Sequence, residues 1–336
     1  MRLADFDYDL PHDRIAQVPI EPRDAARLLV DRGAGAPLHR QVRDLTDHLH
    51  PGDLLVVNDS KVIPARLRVQ RATGGAAEVL LLEPLDSDRR TWEAMVRPAR
   101  KLRIGEQLFT SDGRALVEVG RRTPAGDTTV VSILGEGDVL EVLGRFGEMP
   151  LPPYITERLG ERDRYQTVYA AEPASAAAPT AGLHFTPELL ERVAAMGVET
   201  ARVELVVGLD TFKPVSEDDP RLHQIHSERY RVDAEVLERC RTARRVVAVG
   251  TTSVRALESA TTLGALDGRT TLFIHRPYEW KVVDVMMTNF HMPHTTLLMM
   301  IDAFVGERWR RLYRTALDEG YRFLSFGDAM LLDRHA

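Results

Sequence analysis

Val247-Ala248-Val249-Gly250-Thr251-Thr252-Ser253-Val254-Arg255-Ala256-Leu257-Glu258 is the stretch on which the fold turns. Apolar β-formers, a glycine, three hydroxyl residues and then a helix-compatible run predict a strand over Val246 to Val249 and a helix over Thr251 to Thr261. Such a strand–turn–helix unit belongs to an α/β sheet. The orphan N–H groups of the new helix, with three hydroxyls beside them, form a candidate anion cradle. Arg255 adds a possible bidentate contact. The pattern is neither a P-loop nor GxGxxG, so it implies neither a nucleoside triphosphate nor a dinucleotide. An ordinary strand-to-helix turn would use the same residues.

Outward from this unit the α/β pattern continues. Leu54 to Val57 reads as a short buried strand. Thr186-Pro187-Glu188 opens a helix with a threonine cap, proline at the first helical position and an acid at the positive end. That helix ends near Gly197, and Glu199 to Val207 reads as a strand. Asp233 caps another helix; Leu272 to Ile274 and Val282 to Met287 read as strands, and helices follow from Thr295 to Glu319. Alternation of strands and helices predicts a mainly parallel α/β/α sheet.

Between Ala65 and Pro150 the period changes to short strands with little helical signal, punctuated by Gly74-Gly75, Asp112-Gly113 and Gly135-Glu136-Gly137. This predicts a small antiparallel β-barrel. The expected organisation is an α/β catalytic domain from residues 1–64 and 151–336, with an inserted barrel domain over 65–150.

The chain has 336 residues, 44% of them hydrophobic, and a formal net charge of −6. Mean hydropathy is −0.22. The most apolar stretch, Thr295 to Val305, is interrupted by Asp302, and the acidic opening residues carry no apolar leader, so neither membrane nor export is expected. A lone cysteine, Cys240, fits a reducing cytoplasm. Its neighbours Arg239 and Arg241 are of the kind that lower a thiol pKa, although an inert helix cysteine is the plainer reading.

Three further segments carry candidate chemistry. Asn58-Asp59-Ser60-Lys61 places polar groups at the carboxyl edge of a predicted strand, where open α/β sheets bind ligands. Ala178-Pro179-Thr180-Ala181-Gly182-Leu183-His184-Phe185-Thr186 combines small residues with an imidazole just before a helix start. Thr288-Asn289-Phe290-His291-Met292-Pro293-His294 offers a carboxamide, imidazoles and a stacking ring. With His223, His226 and Glu228 these raise a metal hypothesis, but no HxxEH or HExxH spacing is present and no metal is expected. Arg97-Pro98-Ala99-Arg100-Lys101-Leu102-Arg103 is the densest basic run and a candidate phosphate contact.

Taken in order along nearly the whole chain, these segments closely resemble the S-adenosylmethionine:tRNA ribosyltransferase-isomerase family of queuosine biosynthesis. Asp5 to Pro11, Gly52 to Arg66, Gly147 to Ile155, Arg164 to Ala170, APTAGLHFT, His226-Ser227-Glu228, GTTSVRALES and TNFHMP carry the likeness. The resemblance implies an α/β domain with an inserted barrel. It also implies a reaction: the ribosyl group of S-adenosylmethionine passes to 7-aminomethyl-7-deazaguanine at the wobble position of tRNA with a GUN anticodon. The products are epoxyqueuosine-tRNA, adenine and methionine.

No cofactor beyond the co-substrate S-adenosylmethionine is expected, and a monomer is. Val206, Asp210, Arg276-Pro277 and Ala174 depart from the family pattern. A paralogue acting on another deazapurine or a free base is therefore the alternative, with a methyltransferase or a non-catalytic tRNA-binding module behind it.

The sulfonium acidifies its neighbouring 5′ carbon, so the reaction needs a base, an acid for departing adenine and an anchor for the methionine carboxylate. His184 or His226 is the expected proton carrier, with Glu228 assisting and Asp59 holding ribose or the acceptor amine. Thr180, Gly250, Thr251, Thr252, Ser253 and Arg255 are the expected cofactor contacts, and Asn289 and His291 would read a purine edge.

Overall fold

The computed structural model describes residues 1–336 except 124, 125, 127, 158, 209–213 and 226, and the side chain of residue 162. The chain divides into two compact units. One comprises Met1–Ser60, Pro152–Glu172 and Ala178–Ala336; the other comprises Lys61–Leu151 and Pro173–Ala177.

Strands in chain order are Arg27–Val30 (β1), Leu38–Gln41 (β2), Leu54–Asn58 (β3), Ser60–Val62 (β4), Arg66–Arg71 (β5), Ala76–Pro84 (β6), Thr91–Arg97 (β7), Gln107–Phe109 (β8), Ala115–Arg122 (β9), Thr129–Ile133 (β10) and Gly147–Glu148 (β11). Then come Glu172–Ser175 (β12), Glu199–Leu205 (β13), Glu228–Arg231 (β14), Val246–Val249 (β15), Asp267–Thr270 (β16), Val285–Asn289 (β17) and Ala329–Asp333 (β18). The helices are Val139–Phe146 (α1), Pro187–Ala195 (α2), Ala234–Thr242 (α3), Gly250–Leu263 (α4), Thr296–Val305 (α5) and Arg308–Asp318 (α6).

The first unit is built on a nine-stranded sheet in the order β16-β14-β13-β3-β15-β17-β18-β1-β2. Its centre, β13-β3-β15-β17, is parallel throughout. Antiparallel strands flank it: β14 and β16 on one side, and β18 against β17 on the other, where β18 then runs parallel to β1. Every residue of β3, β15 and β17 is buried, as expected of parallel strands covered on both faces. Leu55, Val57, Val247, Val249 and Met287 pack with Leu189 and Val193 of α2 in one core. At 25 cal/mol per Å2 of apolar surface, each such side chain contributes roughly 1.5–3 kcal/mol to burial.

In the second unit β5-β6-β7-β10-β9-β8 form an antiparallel ring that closes by pairing β8 with β5. Leu67 and Val69 of β5 and Trp92, Ala94 and Val96 of β7 alternate inward while their neighbours face outward. That is the period of two expected for a barrel whose core lies on one face only.

Several expectations are corrected. Leu272 to Ile274 is not a strand: Leu272 donates its N–H to Thr270 Oγ1 at 3.0 Å, a turn that takes the chain off the sheet, and β16 pairs with β14 instead. The barrel unit carries a helix, α1, whose first N–H groups, of Leu140 and Glu141, are capped by Asp138 Oδ1. Asp233 precedes α3 but makes no side-chain cap. Cys240 is pushed up to about 11 by burial, which outweighs its arginine neighbours, so it is the inert thiol.

Candidate active site

Strands β15 and β17 are neighbours and parallel, so their carboxyl ends deliver two loops to one edge of the sheet. A third segment, the 3-10 turn Thr180–His184, meets them there. Together they line a pocket that is open to solvent. Thr180, Ala181, Gly250, Thr251, Thr252, Thr288, Asn289 and His291 come from these loops, and Tyr154, Val207, Met292, Leu297, Leu324 and Ser325 complete the wall.

The backbone makes two close approaches here. Gly182 has no room for a side chain, because a Cβ would stand 2.0 Å from Tyr169 Oη. Gly250 turns from strand to helix at φ +85°, a left-handed conformation that favours glycine. Three polar contacts then lock the loops together. Thr180 Oγ1 donates to Asn289 Oδ1 at 3.0 Å, and Asn289 Nδ2 donates to Leu324 O at 3.1 Å. Tyr154 Oη and Ser325 Oγ are 2.7 Å apart. Asn289 is thus engaged on both sides of its carboxamide and braces the cavity wall.

His291 is buried, with Nε2 3.0 Å from Thr288 Oγ1 and its backbone N–H donating to Tyr313 Oη at 3.0 Å. Desolvation pushes its imidazole down to about 3, so it is neutral at pH 7. Burial likewise raises the Tyr154 phenol. Among the described residues the cavity lining contains no Asp, Glu, Lys or Arg.

The structure gathers Thr180, Gly250, Thr251, Thr252, Asn289 and His291 around this space and places the other described candidates elsewhere. His184 is buried with Nδ1 3.0 Å from Ala181 O and Nε2 2.9 Å from Gly327 O. It lines a separate, smaller cavity beside Arg23 and Arg164. Carbonyls only accept, so a neutral ring can satisfy just one of the two, yet burial lowers its pKa against both.

Glu228 and Arg255 form a buried ion pair with each other, and Arg255 Nη2 also reaches Thr270 O at 3.3 Å. Ser253 donates its hydroxyl to Val249 O at 2.7 Å within the helix. Asp59 sits 3.9 Å from Arg202, its carboxyl raised mainly by burial. His226 and Asp210 lie outside the described residues. Among the described residues no three His, Cys, Asp or Glu side chains are grouped to hold a metal ion.

Leu324 and Ser325 were not legible as site residues. Leu324 adopts φ +68°, a strained conformation for a bulky side chain, and that signal exists only in the folded backbone.

The profile of the queuosine biosynthesis protein family matches residues 3–332. The chain belongs to that family. Proteins named S-adenosylmethionine:tRNA ribosyltransferase-isomerase from Symbiobacterium thermophilum and Thermus thermophilus are 52% and 49% identical to it, the alignments covering 99% and 98% of the chain and 100% and 99% of those proteins. The crystal structure of an S-adenosylmethionine tRNA ribosyltransferase from Thermotoga maritima is 38% identical, with a TM-score of 0.55 over 97% of this chain and 99% of that one. As a member of the queuosine biosynthesis protein family this chain is an enzyme, a transferase.

Of the positions read above as departures from the family pattern, Arg276 is held by a two-pronged ion pair to Asp302 at 2.6 and 2.7 Å, and Asp302 also accepts from Trp309 Nε1. Val206 is buried and donates its N–H to Arg229 O.

Proposed function

We propose that this enzyme transfers and isomerises the ribosyl group of S-adenosylmethionine onto 7-aminomethyl-7-deazaguanine at the wobble position of tRNA with a GUN anticodon. Epoxyqueuosine-tRNA, adenine and methionine leave. The observation that carries the reading is the largely apolar cavity at the carboxyl edge of β15 and β17, whose described lining carries no charged side chain. A sulfonium brings its own positive charge and acidifies its own 5′ C–H. A site whose described lining adds no competing charge leaves that polarisation unopposed. The neutral imidazole of His291, already bonded to Thr288, and the Thr180 hydroxyl, already donating to Asn289, add no charge to the wall.

The tRNA part of the reading draws support from the barrel unit. Arg97, Arg100, Lys101, Arg103, Arg121 and Arg122 are all exposed. Arg122 donates to Ala99 O and Arg71 to Lys101 O, so the ends of β9 and β5 meet the basic loop at one end of the barrel. Such a cluster suits phosphate contacts. The enzyme is taken to work as a cytoplasmic monomer with no cofactor besides its co-substrate. No helix among the described residues is long and apolar enough to cross a membrane.

Incubation with S-adenosylmethionine and tRNA bearing the aminomethyl-deazaguanine should release adenine and methionine, followed by chromatography. Adenine release with the free base and none with tRNA would replace the acceptor. Production of S-adenosylhomocysteine would replace the reaction.

A further inference from the structure

We propose that the first turn of α4 is a subsite for a single carboxylate, in which Thr252 Oγ1 and the N–H groups of Gly250, Thr251 and Thr252 converge on the anion. The inference rests on the reading that this cavity receives S-adenosylmethionine, whose amino-acid end carries that group.

Helix geometry leaves the first N–H groups of α4 outside its own hydrogen-bond ladder, and the helix is fourteen residues long, so its N-terminal field is fully developed. The independent observation is the hydroxyl. Thr252 is 9% exposed and lines the cavity, yet its Oγ1 is shielded from solvent and has no hydrogen-bond partner among the described residues. Other hydroxyls of the same helix behave differently: Ser253 donates to Val249 O at 2.7 Å and Thr261 to Leu257 O at 3.1 Å. Thr252 alone of these three keeps its donor unspent.

The space beside that hydroxyl is also kept open. A Cβ on Gly250 would lie 3.5 Å from Thr252 Oγ1 and 3.5 Å from Ala181 Cβ, filling the gap between them. Glycine therefore serves both the left-handed turn and the cradle.

Charge selects a carboxylate over a phosphate. Among the described residues the lining holds no Lys or Arg, and Arg255, in the same helix, is committed to Glu228. What remains is the partial positive charge of a helix terminus, roughly half an elementary charge, plus neutral donors. That matches one negative charge and leaves a phosphate dianion undercompensated.

The test measures Kd by calorimetry on the full chain for S-adenosylmethionine and for its decarboxylated analogue, which keeps the sulfonium nucleoside. Thr252→Val should weaken S-adenosylmethionine about tenfold or more, the cost of losing a hydrogen bond to a charged group, and leave the analogue within twofold. Thr252→Ser should restore most of the loss. Unchanged analogue binding also shows that the valine variant is folded. Equal weakening of both compounds, or of neither, overturns the subsite. If the wild-type chain binds neither compound, the cofactor reading falls and the subsite falls with it. If it binds both equally well, the subsite alone falls.

Discussion

Two successive stretches of α4 are equally buried and opposite in their hydrogen-bond accounting. In the first turn Thr252 hides a hydroxyl with no hydrogen-bond partner among the described residues. Farther along, Glu258 is fully buried and its carboxylate accepts from Tyr278 Oη at 3.0 Å and from the N–H groups of Lys281, Val282 and Val283 at 3.0–3.1 Å. Arg255 between them is paired with Glu228. Buried polar groups cost free energy unless they are satisfied. A saturated group such as Glu258 belongs to the scaffold, whereas an unsatisfied one facing a cavity is waiting for a ligand. The contrast teaches that residue type alone does not mark a site. GTTSVRALES reads as one motif, and the fold splits it into a binding end and a bracing end.

The largest effect expected from this contrast is at the bracing end. Glu258→Ala leaves three backbone N–H groups and a phenol without their acceptor inside the protein. At about 1–3 kcal/mol for each buried unsatisfied group, the loss should reach at least about 3 kcal/mol. Urea unfolding measures it. A midpoint shift equivalent to less than 1 kcal/mol would show that the Lys281–Val283 segment relaxes to solvent and is no brace.

A smaller and pH-dependent effect is expected at His291. Its folded pKa, near 3, lies below the unfolded value of about 6.5, so the unfolded chain binds more protons between these limits. Stability from this group is complete above pH 6.5 and declines as pH falls towards 3, by roughly 1 kcal/mol per pH unit. Buried His184 shifts in the same direction. His291→Gln should flatten the slope of unfolding free energy between pH 7 and 5 relative to wild type. An unchanged slope would place the titration elsewhere.

Much of this site was legible because its signals are local. Strand, glycine and hydroxyls at Val249–Ser253, and the small residues before Thr186, are read within a dozen positions, and the Thr186 cap forms as expected, accepting from Leu189 N–H. What escaped depends on distant partners. His184 looks like a proton carrier until Gly327, 143 residues away, takes one ring nitrogen. Glu228 looks like its assistant until Arg255 claims it from another element. β18 and β1 each show a short run without a periodic signature, and they become strands by pairing in parallel across some three hundred residues. The basic run at Arg97–Arg103 was visible, but that Arg122 reaches its loop was not.

The smallest effect is the sharpest test of where the binding end stops. Ser253 follows Thr252 directly and belongs to the same hydroxyl run, yet it is fully buried and its hydroxyl is spent on Val249 O. Ser253→Ala removes that bond and leaves the carbonyl to the helix's own N–H, so it should cost no more than about 1 kcal/mol in stability. It should also leave the KM for S-adenosylmethionine within twofold, because Ser253 does not line the cavity. A tenfold rise in KM with unchanged stability would mean that the hydroxyl rotates to the ligand. The boundary between binding and bracing residues would then move one position along α4.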